Sequence, residues 1–165
     1  MAEFVRVFSE RENLKALLDF CLVTGPKSMY AEYSEPEPDD LQMIAQWDTG
    51  ATYTVISKDV IELLGLKPTG RKMNVVGANG VYKSDTYIVN LHFSEGIVFE
   101  NLLVAEMVEG IGASVLVGLD VILQSDFIIQ PQGDNVLLKF RHPSEGEKPF
   151  TAKAVNLFEE MHESE

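Results

Sequence analysis

Few side chains in this 165-residue sequence are grouped so as to do chemistry. The three histidines, His92, His142 and His162, lie far apart and share no ligand spacing, which points away from a metal site. No Ser, Cys and His grouping marks a nucleophilic hydrolase, and the lone Cys21 sits in an apolar run that reads as core. Gly77-Ala78-Asn79-Gly80 lacks both the Gly-x-Gly-x-x-Gly spacing and a following helix, so it is no phosphate loop. What remains is a carboxylate, in Trp47-Asp48-Thr49-Gly50-Ala51. Taken alone, an Asp-Thr-Gly triplet arises by chance in about 3% of chains this long. Its plain reading is a turn, in which Asp caps local backbone and Gly supplies positive φ. The setting argues for more, because the triplet lies between two strand-like runs and a second apolar-apolar-Gly sequence, Leu116-Val117-Gly118, opens a helix further along.

The elements that must position these residues read mostly as strands. Residues 4–8 and 16–24 come first. Over 14–24 two patterns compete: Ser9 and Glu12 ahead of it have capping-box spacing and Leu14, Leu17 and Leu18 repeat like a helix face, but Leu18, Phe20 and Leu22 alternate and Gly25-Pro26 ends it as a strand would end, which favours a strand over 16–24. Residues 28–33 read as another strand, and Ser34 to Asp40, with two prolines and four acids, as an exposed loop. A strand over 41–47 delivers the chain to Asp48, and the β-branched run 52–56 leaves it. Ser57 as N-cap and Gly65 at C′ predict a short helix over 58–64. Asn79-Gly80 between 72–76 and 81–91 predicts a hairpin, with Tyr87, Val89, Leu91 and Phe93 on one face. Further strands are expected at 97–104, 114–117 and 135–141, and a second helix at 118–125. The stretch 143–165 is polar and acidic, with a helix at 152–161 or no structure. Many short strands, two short helices and no repeat predict an all-β barrel or sandwich.

Asp48-Thr49-Gly50-Ala51, then Val55-Ile56-Ser57, Gly77-Ala78-Asn79-Gly80 and Val115-Leu116-Val117-Gly118-Leu119-Asp120 together resemble the retropepsin-like aspartic proteases. The likeness is to the bacterial single-domain members, with kinship to the protease-like domain of eukaryotic DNA-damage-inducible ubiquitin-shuttle proteins. It covers residues 41–130 within a domain of 1–142. It implies a closed acid-protease barrel, one lobe per chain, and an aspartic endopeptidase that needs no metal or cofactor. Such chemistry holds one water between two carboxylates. Two carboxylates about 3 Å apart cannot both ionise, so the pair shares a proton, and one acts as base while the other donates to the carbonyl oxygen. This chain has one Asp-Thr-Gly; Asp85-Thr86 is followed by Tyr87 on the hairpin strand. A symmetric homodimer would supply the second carboxylate. The resemblance makes Asp48 catalytic, has Thr49 bond across the dimer axis, and has Gly50 and Ala51 complete the loop. It makes Gly77, Ala78, Asn79, Gly80 and Val81 a substrate-binding flap, and Leu116, Val117 and Gly118 the support beneath the loop.

Two positions depart from the viral pattern. Thr52 and Leu119 stand where viral members pair an acid with an Arg, and both halves are missing together, so no buried charge is stranded. Trp47 replaces an aliphatic residue, with core filling as its expected role.

Composition bounds the partners. The chain is 45% hydrophobic and carries 26 acidic against 13 basic residues, a net charge of −13. A folded chain this long buries roughly 70% of its unfolded surface, enough for one core without staples. Nucleic acid and anionic membranes reward Lys and Arg, so neither is an expected partner. One cysteine fits a reducing compartment, and the expected location is the cytoplasm. Two functions are carried forward: a homodimeric endopeptidase acting on a peptide or protein substrate, and a catalytically silent dimeric peptide-binding module of the same fold.

Overall fold

The computed structural model describes residues 2–77, 79–108 and 112–159. The strands β1 (Ala2–Phe8), β2 (Leu17–Thr24) and β3 (Leu41–Trp47) come first, with helix α1 (Lys27–Glu32) before β3. Then follow β4 (Val55–Ile56), helix α2 (Lys58–Leu63), the hairpin of β5 (Lys72–Gly77) and β6 (Gly80–His92), and β7 (Val98–Glu106). The order ends with β8 (Val115–Val117), helix α3 (Leu119–Ile122), β9 (Asp126–Gln132), β10 (Asn135–His142) and β11 (Ala154–Val155). No described helix is long and apolar enough to cross a membrane.

The larger sheet runs β2-β3-β8-β4-β7-β6-β5, and β2 also pairs with β6. That last pairing, Leu22 opposite His92 through Thr24 opposite Asn90, closes six strands on themselves. Closure leaves no open edge among those six and extends β5 with the first part of β6 beyond the barrel as a hairpin. Inside lie the residues whose alternation the sequence shows, Tyr87, Val89, Leu91 and Phe93 on β6 and its exit. The smaller sheet, β11-β1-β10-β9, covers one end of the barrel.

Trp47 joins the two sheets. Its ring stacks on Phe93 at 5.0 Å and tilts against Phe140 at 4.8 Å, with Phe4 and Phe127 also in reach. The expected core-filling role therefore holds, and the indole N–H has a partner too: it donates to Asp19 Oδ2 at 3.2 Å. Asp19 is fully buried, and burial pushes its carboxyl up against the opposing pull of Arg6. Arg6 Nε donates to Asp19 Oδ1 at 3.1 Å and its Nη2 donates to the Ser94 hydroxyl at 2.6 Å, so the buried pair is fully bonded. Cys21 is buried in the core, as expected.

Three expectations fail. Residues 28–33, expected as a strand, fall in α1 and its C-cap Tyr33. Pro26 ends the preceding strand with extended backbone and its carbonyl accepts Met29 N–H, which starts the turn. Tyr30 then buries and donates its hydroxyl to Leu64 O at 2.7 Å. Six residues are too few to separate a helical from an alternating pattern. The strand expected over 52–56 is only β4, because residues 52–54 belong to the loop around Asp48. β9, for which the sequence analysis has no strand, is an additional element. Of the helix expected over 152–161, the described part holds β11 and a helical turn at 157–159; residues 160 and 161 lie outside the described residues.

Candidate active site

β3 ends at Trp47, and Asp48 follows on a loop that β8 grips from behind. Asp48 N–H donates to Val117 O at 2.9 Å, and β3 and β8 run parallel with Trp47 opposite Val117. Within the loop Gly50 N–H donates to Asp48 Oδ1 at 2.9 Å and Ala51 N–H donates to Asp48 O at 3.2 Å. These bonds fix the carboxylate's rotamer by one oxygen. Among the described residues the other, Oδ2, accepts no hydrogen bond. Asp48 is half-buried, Thr49 and Gly50 are exposed, and Ala51 is half-buried.

Gly118 holds the loop to β8 by close approach. A Cβ there would stand 2.7 Å from Tyr53 C, 2.8 Å from Tyr53 O and 2.9 Å from Ala51 O, all backbone atoms, so any side chain would force the two segments apart. Of the residues expected as support, Leu116 lies opposite Val55, Val117 O accepts Asp48 N–H, and next to Gly118 the Leu119 N–H donates to Ala51 O at 2.8 Å.

A network that the sequence analysis did not find completes the support. The buried Thr54 hydroxyl donates to Asp120 Oδ1 at 2.7 Å and accepts Gly118 N–H at 3.1 Å, while Thr54 N–H donates to Asp120 Oδ2 at 3.0 Å. This network occupies the end of the loop where the viral acid–Arg pair is missing, and ties it to α3 with a neutral hydroxyl and one carboxylate. Asp120 stands in the sequence as an unassigned acid in Gly118-Leu119-Asp120, but nothing there pairs it with Thr54.

The hairpin carries the expected flap residues. Gly77 and Gly80 face each other as the last pair of the ladder, Asn79 lies in the turn, and Val81 pairs with Val76. Ala78 falls outside the described residues. Gly80 has φ +119, a conformation that suits glycine. Val76 and Val81 are 79% and 66% exposed, so the tip is apolar and uncovered. Nearer its base the hairpin meets the barrel: Met73 and Val75 pack with Val55, Ala105, Leu116 and Met107, and Tyr82 donates its hydroxyl to Glu106 O at 3.1 Å. Among the described residues no hydrogen bond joins the tip to the Asp48 loop. Asp85 pairs with Lys72 at 2.8 Å at the hairpin's base, and among the described residues no hydrogen bond joins it to the Asp48 loop. Among the described residues no group of three or more His, Cys, Asp or Glu could hold a metal ion.

The chain thus presents one carboxylate on a braced loop, an apolar hairpin beside it, and a glycine-pinned support beneath. Comparison with curated proteins finds no match. The crystal structure of a retropepsin-like aspartic protease from Rickettsia conorii is similar in fold, with TM-score 0.50 over 84% of this chain and 93% of that one, at 16% identity. The family described as "gag-polyprotein putative aspartyl protease" matches residues 39–124, from the end of the acidic loop through α3, and with that match the chain belongs to the retropepsin-like aspartic protease family.

Proposed function

We propose that the protein is an aspartic endopeptidase whose site is shared between two copies, each supplying Asp48. The observation that carries this reading is the asymmetry of that carboxylate: Gly50 N–H anchors one oxygen, and the other has no partner among the described residues. A water held between two such groups meets a pair that keeps a single proton. The ionised member takes the proton of the water as it attacks, and the protonated one donates to the carbonyl oxygen of the scissile bond. Thr49, exposed on the same loop, is free to bond across the two-fold axis. A peptide lying extended along the hairpin would bind through main-chain hydrogen bonds. The exposed Val76 and Val81, with Met73, Val75 and Met107 behind them, favour apolar side chains over charged ones.

The test is digestion of a diverse peptide mixture between pH 4 and 7 by wild type and by Asp48→Asn. Wild type is expected to cut next to apolar residues, and the variant to fall to background with fold and association unchanged. A wild type that binds peptides without cutting them, equally with and without the carboxylate, would leave the silent binding module as the better reading.

A further inference from the structure

Thr86, Ser84 and Tyr82 alternate along one face of β6 where it leaves the barrel, and all three carry a hydroxyl. The β6–β7 ladder runs out at Thr86 opposite Ala105, yet β7 continues to Glu106. There β7 still runs beside β4 on its other side, and Met107 N–H donates to Ile56 O at 2.8 Å. Backbone groups alternate between the two sides of a strand. The N–H and C=O of Glu106 therefore face the side that β6 has left, where both would stand unpaired. Side chains of β6 take the place of the missing backbone. Glu106 N–H donates to Ser84 Oγ at 3.0 Å, and the Tyr82 hydroxyl donates to Glu106 O at 3.1 Å. The inner rung is a hydroxymethyl and the outer one a phenol, so the gap between hairpin and barrel widens towards the tip. At the base, Thr86 Oγ1 donates to Arg71 O at 2.8 Å and ties β6 to the chain entering β5. At the tip, a Cβ on Gly77 would stand 3.0 Å from Val108 Cγ2 and 3.7 Å from Tyr82 Cε1, so the hairpin is seated on its own chain.

The two rungs differ in how readily they open. Ser84 is buried, and its hydroxyl both accepts from Glu106 and donates to Asp85 O at 2.8 Å. Tyr82 and Glu106 are only half-buried, and water can replace the phenol on Glu106 O. We propose that Tyr82 is the positioning residue of the hairpin: its bond to Glu106 O sets how far the hairpin stands off the barrel, and so the depth of the channel in which a peptide lies over Asp48. The bearing on substrate rests on the peptidase reading of the Asp48 site; the hold on the hairpin does not. With the bond made, Met73 and Val75 stay packed against Val55 and Leu116. Entry of a peptide breaks the outer bond and swings the hairpin about the buried Ser84 rung, and closure remakes it.

The test takes the full chain with Tyr82→Phe, which keeps the ring and removes the hydroxyl alone. Amide exchange is read at Glu106, whose own bond to Ser84 the substitution does not touch. Exchange there should quicken roughly 3- to 10-fold, the worth of one neutral hydrogen bond, while the amides of β10 keep their wild-type rates. Unchanged exchange at Glu106 would show that packing alone seats the hairpin, and an equal quickening through β10 would mark a general loss of stability; either overturns the proposal. With the peptide that wild type cuts best, Tyr82→Phe should raise KM by the same factor and leave kcat within about twofold. A fall in kcat at unchanged KM would put the effect on the reacting groups and overturn the assignment. The two readings fail separately. A wild type that never cleaves, with Glu106 exchange still quickened by Tyr82→Phe, keeps the positioning residue and removes the peptidase. A cleaving enzyme whose Glu106 exchange does not respond keeps the peptidase and removes the role of Tyr82.

Discussion

Thr54 shows what one buried hydroxyl can hold. It donates to Asp120 and accepts from Gly118, so it ties the loop carrying Asp48 to the turn that opens α3. Valine has the same shape without the hydroxyl. Thr54→Val would strand Gly118 N–H and leave Asp120 Oδ1 with Val121 N–H alone, and one unpaired buried donor costs about 1–3 kcal/mol. Thr54→Ser keeps both bonds and gives up one methyl, about 1 kcal/mol. Urea unfolding of the two variants is expected to separate them in that order, and equal destabilisation would mean that only the methyl matters. Since Asp48 hangs from the same loop, Thr54→Val should also lower peptide cleavage by about 10- to 100-fold, the usual consequence of displacing a reacting group by an ångström. Asp48 and Gly118 could be read from sequence because each sits at a punctuation point, a turn after a strand and a glycine after an apolar pair. Thr54 and Asp120 could not. Thr54 reads as β-branched strand content and Asp120 as an acid in the first turn of a helix, and 66 residues separate them. Asp19 was hidden in the same way, as one polar residue in an alternating strand whose partners Arg6 and Trp47 arrive from other strands.

At the scale of elements, the C-terminal segment is held by ionic anchors whose behaviour with pH can be worked out. The Ser144 hydroxyl and Glu145 N–H, with Arg141 behind them, hold the Asp126 carboxyl down to about 2. At Glu3 burial works against the charge, but the Thr151 and Ala152 donors and Arg141 outweigh it and leave the carboxyl below its ordinary range. A carboxyl lowered in the folded state stabilises it fully above its unfolded value, near 4, and loses that contribution as pH falls through the folded value. The anchors are thus intact from pH 4 to 7 and fail only in stronger acid. Asp126→Asn is expected to speed amide exchange at Ala154 and Val155 about tenfold at pH 7, the worth of a hydrogen bond to a charged group, and the difference from wild type should vanish near pH 2. Exchange unaffected at pH 7 would show that β1 pairing alone holds β11. Most of the barrel was legible, because strands such as β6 alternate over many residues. α1 was not, since six residues with one buried tyrosine carry no period. β9 was not either, since Phe127-Ile128-Ile129 is short and Pro131 breaks the run; its strand identity comes from pairing with β10.

For the molecule as a whole, charge and association oppose each other. Each chain carries −13, and a site shared between two copies has to bring them together against that repulsion. Screening decides how much of it survives: the Debye length is about 30 Å at 0.01 M salt and about 8 Å at 0.15 M. The dimer is therefore expected to tighten about tenfold or more between those conditions, and to tighten again as pH falls towards the isoelectric point of about 4.6, where carboxylates take up protons. This gives activity a signature that a one-chain site lacks. At dilute enzyme, cleavage per chain should rise with salt and with enzyme concentration, in step with the dimer fraction measured by sedimentation. At concentrations where the dimer is complete, salt should leave cleavage unchanged, because it acts on association and not on the neutral peptide. If cleavage per chain were constant across both variables, each copy would hold a whole site. A second carboxylate would then have to be found within the chain, and the one in its other Asp-Thr pair, Asp85, is already paired with Lys72 at the base of the hairpin.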